Sequence, residues 1–157
     1  MTAEVSVERS VAAPAGAVWA LVADVTRMGE WSPETTGCRW TGGAAGPAVG
    51  ARFRGSNANG GHRWSTSCTV TDADPGRCFA FEVTVGPVKV ARWEYRLEDD
   101  GSGCRVVETW TDRRGSLASR LGKPLSGVGD RTTHNRSSME ETLRRLAVAA
   151  EAGGDPS

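Results

Sequence analysis

The stretch from His62 to Thr111 limits the possible folds more than any other part of the chain. It holds four segments, "HRWSTSCTVTDAD", "RCFAFEVTV", "VKVARWEYRLE" and "CRVVETWT", the first two joined through "DPG" and the others separated only by "GP" and "DDGSG". The segments are rich in β-branched and aromatic residues and the breaks are tight-turn signals. Strands joined so closely pair with their neighbours in sequence, as an antiparallel meander. Two shorter candidates, "TGCRWTG" and "GARFRGSN", flank the Gly/Pro loop "GGAAGPAVG". A further strand is read at 4–11, where Val5, Val7 and Val11 alternate with Glu4, Glu8 and Ser10.

Helical periodicity marks two main places. Pro14 suits the first turn of a helix whose apolar face is Val18, Leu21, Val22 and Val25. Gly29 and Pro33 then limit "DVTRMGEWSP" to a short second helix or turn, with Trp31 as its only large apolar anchor. After an irregular stretch at 112–130, a long helix is predicted from about Asp130, a suitable N-cap, to about Ala152. Its stripe is Val128, Thr132, Asn135, Met139, Leu143, Leu146 and Ala150. The expected architecture is α+β: a curved seven-stranded antiparallel sheet wrapped around a long C-terminal helix, with two short helices after strand 1. One domain over 1–152 and a frayed tail at 153–157 account for the whole chain. A sheet bent around a helix leaves a gap between them, and that gap is the expected place for function.

Composition removes several classes of function. The 19 basic and 19 acidic residues cancel, which argues against a general nucleic-acid binder. Cys38, Cys68, Cys78 and Cys104 form no C-x-x-C pair, so reduced, mostly buried thiols are expected and no metal site or other cofactor. No apolar run approaches the ~20 residues that span a bilayer, so no integral membrane contact is expected. "MTAEVSVERSV" has neither a basic n-region nor an apolar h-region, and a cytoplasmic location is the expectation.

Three stretches, "PAGAVWALVADVTRMGEWSPE", "WEYRLEDDGSGCRVVETW" and "THNRSSMEETLRRLAVAAE", together resemble the polyketide cyclase/dehydrase-like branch of the START-related helix-grip (SRPBCC) superfamily. The likeness runs in order over nearly the whole chain and is nearest to small single-domain actinobacterial members. It implies a helix-grip fold whose cavity is closed at one end by the segment containing Trp31. Trp31 would pack under the sheet, Pro33 would set the exit angle, and Asp24 would hold backbone amides in the turn. The superfamily hosts lipid carriers, receptors and cyclases, so the resemblance implies the fold more sharply than the function.

The sequence holds no nucleophile elbow, P-loop or dinucleotide fingerprint. His62 sits in a Gly-rich connection. His134 lies about 140° from the Met139 stripe at ~100° per residue, whereas Asn135 and Thr132 lie close to it. The aromatic residues say more. Trp40, Trp64, Trp93 and Trp110 all fall in strands, and Trp93 shares a face with Tyr95 and Leu97. Phe79 and Phe81 likewise share a face. The expected cavity is lined by Trp31, Trp40, Phe53, Trp64, Phe79, Phe81, Trp93, Tyr95, Trp110, Thr132, Asn135, Met139 and Leu143. Tyr95, Asn135, Thr132 and Arg92 are its expected polar groups, and no inward histidine or carboxylate is apparent.

This inventory favours binding of a hydrophobic small molecule, lipid-, polyketide- or polycyclic-like, by a monomer or weak homodimer. A polyketide aromatase/cyclase is the enzymatic alternative, and it needs a general acid or base in the cavity. A toxin-like or regulatory protein acting through protein contacts is the third. Leu117, Leu121 and Leu125, spaced by four residues among glycines, are expected to form a lid over the ligand.

Overall fold

The computed structural model describes residues 4–114 and 131–153. In chain order these form β1 (Glu4–Val11), α1 (Ala15–Ala23), a 3-10 helix (Val25–Glu30), β2 (Thr35–Thr41) and β3 (Arg52–Asn59). There follow β4 (His62–Asp74), β5 (Cys78–Val85), β6 (Val88–Asp99), β7 (Cys104–Asp112) and the C-terminal helix α2 (Arg131–Gly153). The strands make one antiparallel sheet in the order β1-β7-β6-β5-β4-β3-β2. From β2 to β7 spatial order follows the chain, as the short turns require. β1 adds to the free edge of β7, so residues 12–34 carry the chain from one edge of the sheet to the other. The expected curved sheet around a C-terminal helix is present.

The buried face of α2 is Asn135, Met139, Thr142, Leu143, Leu146, Ala147 and Ala150. That i, i+3/i+4 spacing turns one stripe onto β1, β7 and α1. Burial of Met139, Leu143 and Leu146 contributes about 1.5–3 kcal/mol for each side chain. Thr132 belongs to the same helical stripe but is exposed, because burial of this face begins one turn later at Asn135. The expected cap at Asp130, Val128 and the expected lid leucines Leu117, Leu121 and Leu125 lie outside the described residues.

The 3-10 helix explains "DVTRMGEWSP". The Asp24 carboxylate accepts the Thr26 amide at 3.2 Å and starts the turn. Val25 and Trp31 are buried at its two ends, and the Arg27 guanidinium lies 5.3 Å from the Trp31 ring centroid. Gly29 lets the turn lie flat on β2: a Cβ there would come within 3.3 Å of the Thr35 carbonyl oxygen. All four cysteines are free thiols, three buried and Cys38 half-buried. Among the described residues no cluster of His, Cys, Asp and Glu could hold a metal ion, and no helix is long and apolar enough to cross a membrane.

Candidate functional site

Strand register decides which side chains meet beneath α2. Cross-strand partners point to the same side of a sheet, so the pairings trace rows across its concave face. One row runs Trp40, Phe53, Cys68, Val83 and Ala91. The next runs Val70, Phe81, Trp93, Trp110 and Val5, and the third Ala73, Phe79, Tyr95, Glu108 and Val7. Trp64 faces the same way, opposite Asn57. All four strand tryptophans therefore lie on the concave face.

Part of this aromatic surface packs on itself. Trp40 meets Phe53 at 5.6 Å between ring centroids, Phe53 meets Phe81 at 5.1 Å, and Phe81 meets Phe79 at 5.8 Å. The chain of rings ends on Trp19 of α1, whose indole N–H donates to the Cys78 carbonyl at 2.8 Å. Phe53, Phe79, Phe81, Trp110 and Trp31 are buried, as are Tyr95, Asn135, Met139 and Leu143. Trp40, Trp64 and Trp93 are half-buried. Among the described residues Trp93 makes no ring contact, although it stands between Phe81 and Trp110 in its row.

The polar centre of the face is a pair. The Tyr95 hydroxyl donates to Glu108 Oε2 at 2.9 Å, and Glu108 is only 2% exposed. Its other oxygen, Oε1, is buried without a hydrogen-bond partner among the described residues. Burial pushes the Glu108 carboxyl up to about 8, although the hydrogen bond from Tyr95 pulls the other way. Tyr95 is raised well above the ordinary phenol range by the same burial and by the neighbouring carboxyl. At neutral pH Glu108 is thus mostly a neutral acid. Oε2 accepts from Tyr95, which leaves the acid proton on Oε1 as a donor without an acceptor among the described residues.

Glu108 overturns the expectation that no carboxylate points inward. The signal was the alternation in "CRVVETW": the parity that turns Cys104, Val106 and Trp110 inward turns Glu108 inward too. Arg92 is the reverse case. It neighbours Trp93 in the chain and so lies on the convex face, bound to Asp72 at 2.8 Å and Glu94 at 3.0 Å. It is not a cavity group. A second polar patch lies across the concave face from Glu108, where Asn57 Nδ2 donates to Thr66 Oγ1 at 3.4 Å. His134 is not fully outward: its Nε2 lies 3.1 Å from Glu34 Oε2, joining the start of α2 to the approach to β2.

Comparison with known proteins agrees with this fold. The two-domain ARO/CYC protein StfQ of the steffimycin biosynthetic pathway superposes with a TM-score of 0.75 at 12% identity, covering 97% of this chain and 51% of that one. Major latex-like protein 151 of Panax ginseng gives 0.71 at 9% identity, over 96% of this chain and 98% of its own. At such identities the likeness is one of fold. The Polyketide_cyc-like protein Cgl2372 of Corynebacterium glutamicum is 33% identical over 98% of this chain and 85% of its own, with a TM-score of 0.54. Among curated proteins none matches the chain. The family described as polyketide cyclase / dehydrase and lipid transport matches residues 2–151, and the chain belongs to it.

Proposed function

We propose that the protein binds a hydrophobic small molecule, polycyclic or polyketide-like, between α2 and the concave face of the sheet. The observation that carries this reading is the block formed by Trp93 and Trp110 beside Tyr95 and Glu108. A half-buried indole with no ring partner among the described residues offers apolar surface to stack on, and the neighbouring neutral acid offers one hydrogen bond to fix orientation. The Asn57–Thr66 patch gives a second polar contact to a ligand long enough to reach it. The reading needs neither nucleic acid nor an integral membrane contact.

Native mass spectrometry of the purified protein, together with quenching of tryptophan fluorescence by acetylnaphthalene, tests it. A co-purified apolar mass, or saturable quenching that Trp93→Ala weakens, is the expected result. No bound mass and no saturable quenching would overturn it.

Glu108 also favours a second reading, an enzyme of the cyclase type in which the Glu108 acid gives its proton to a carbonyl oxygen of a bound poly-ketone while a water molecule takes the α-proton, forming the enol. Hydrogen–deuterium exchange at the methyl group of acetylnaphthalene tests that reading. Exchange accelerated by the wild type and not by Glu108→Gln is expected for an enzyme; equal rates leave the protein a binder.

A further inference from the structure

The chain is neutral overall, but its charges are segregated. From Thr35 to Thr71, across β2, β3 and β4, there is no aspartate or glutamate, while Arg39, Arg52, Arg54 and Arg63 all fall there. Register places these four on the convex side, away from the concave row that holds Trp40 and Phe53. Arg39 is the direct cross-strand partner of Arg54, Arg52 pairs with Thr41 and Thr69, and Arg63 pairs with Ala58. All four are exposed, and among the described residues none makes an ion pair. The contrast with the rest of the molecule is sharp. Arg92 is tied to Asp72 and Glu94, Arg105 to Glu8, Arg113 to Glu82, and Arg144 to Glu141.

Like charges placed directly opposite in a sheet destabilise it, and nothing local offsets Arg39 against Arg54. Between the arginines stand small hydroxyl residues, Ser56, Ser65, Ser67 and Thr69, and Arg54 Nη1 lies 3.5 Å from Ser67 Oγ. Guanidinium and hydroxyl groups on an open surface suit phosphate oxygens. The loop leaving this hairpin, "GGAAGPAVG" at 42–50, carries no charge, and its Val49 is 70% exposed. It starts one residue beyond Thr41, the partner of Arg52, and forms a shallow recess that Arg52 helps to line.

We propose that the β2–β4 edge and the 42–50 loop form a docking surface for an anionic phospholipid bilayer. The arginines face the lipid phosphates and the loop, with Val49, sits among the headgroups. An uncharged apolar loop beside a cluster of cations fits a lipid interface better than a nucleic acid, which offers phosphate but no apolar layer at its rim. The surface lies on the opposite side of the sheet from Glu108, so it stands independently of the ligand reading and would bring the protein to a membrane from which an apolar molecule could be drawn.

Co-sedimentation with phosphatidylcholine vesicles, with and without a fraction of phosphatidylserine, tests this. Binding should appear only with phosphatidylserine and fall as salt screens the charges. Each arginine near an anionic surface changes partitioning about fivefold, so Arg39→Glu with Arg54→Glu should weaken it at least ~25-fold. Val49→Asp should weaken it as well. An unchanged melting temperature and unchanged acetylnaphthalene quenching would show that these variants are folded. Three outcomes would overturn the proposal: no binding to either vesicle, equal binding to both, or tighter retention by duplex DNA than by phosphatidylserine vesicles at the same salt.

Discussion

Tyr95 and Glu108 are cross-strand partners on β6 and β7, and the tyrosine donates a 2.9 Å hydrogen bond into an otherwise apolar row. Such a pair makes stability depend on pH in an unusual sense. The folded carboxyl is raised to about 8 from an ordinary 4.5, so between those values the folded chain holds a proton that the unfolded chain has lost. Stability is then greatest near and below pH ~4.5 as far as this group is concerned, and it declines as pH rises towards about 8. Each tenfold difference in proton affinity between the folded and unfolded chains is worth roughly 1.4 kcal/mol, so the loss amounts to a few kcal/mol. The titratable and charged groups nearest Glu108 on this face are Tyr95, the exposed Arg9 of β1 and Asp112, which is held by Arg114; the buried face of α2 has none. Urea denaturation of wild type and Glu108→Gln across this range should show a declining curve for the first and a flatter one for the second. A wild-type minus variant difference that grows with pH would contradict the assignment.

Removing the hydroxyl tests the same pair from the other side. Tyr95→Phe leaves Glu108 Oε2 buried without its donor, at a cost of about 1–3 kcal/mol. It also removes the interaction that lowers the Glu108 carboxyl, so the decline with pH should move to higher pH. In a Glu108→Leu background the Tyr95→Phe cost should shrink, because the acceptor is already gone. A double-mutant cycle with no coupling would mean the hydrogen bond contributes nothing.

How far this was legible in the sequence depends on which periodicity carried the information. Two-residue alternation in 62–111 was enough to set the meander and to place Trp93 with Tyr95. The same rule applied to "CRVVETW" would have placed Glu108 inside, and applied to Trp93 it would have excluded Arg92. Both were obscured by residue type, since a carboxylate reads as outward and an arginine beside aromatics reads as a ligand contact. Thr132 shows the complementary limit. Helical phase fixes direction around an axis but not how far along the helix the neighbouring strands extend. The Arg39–Arg54 opposition depends on register between strands, which neither alternation nor composition specifies.

The exclusion of Arg92 from the cavity can be measured. Its two carboxylate partners are on a partly solvated face, so Arg92→Ala should lower stability by no more than about 1 kcal/mol. Acetylnaphthalene binding should stay as in wild type. Trp93→Ala, one residue along and on the other face, should weaken that binding about tenfold. It should also destabilise less than the 3–5 kcal/mol usual for a fully buried aromatic, because the indole is only half-buried. Weakened binding in Arg92→Ala with unchanged binding in Trp93→Ala would reverse the assignment of faces.

The end of the β1–β7 pairing depends on one glycine. Gly103 lies in the β6–β7 turn just ahead of Cys104, the partner of Val11 at the end of β1. A Cβ at Gly103 would collide with the Val11 carbonyl oxygen and press within 3.0 Å of Ala12 Cα and Ala13 N. These are backbone atoms that cannot rotate away, and they anchor the start of the link to α1. Gly103→Ala should therefore cost about 1–3 kcal/mol, as overpacking does. Gly16 is the control. It lies in α1, where an added Cβ meets nothing within 4 Å. Gly16→Ala should stabilise by several tenths to about 1 kcal/mol through helix propensity and reduced freedom of the unfolded chain. Thermal melts of the two variants should thus move in opposite directions from wild type, and equal shifts would show that glycine is tolerated at 103 rather than required there.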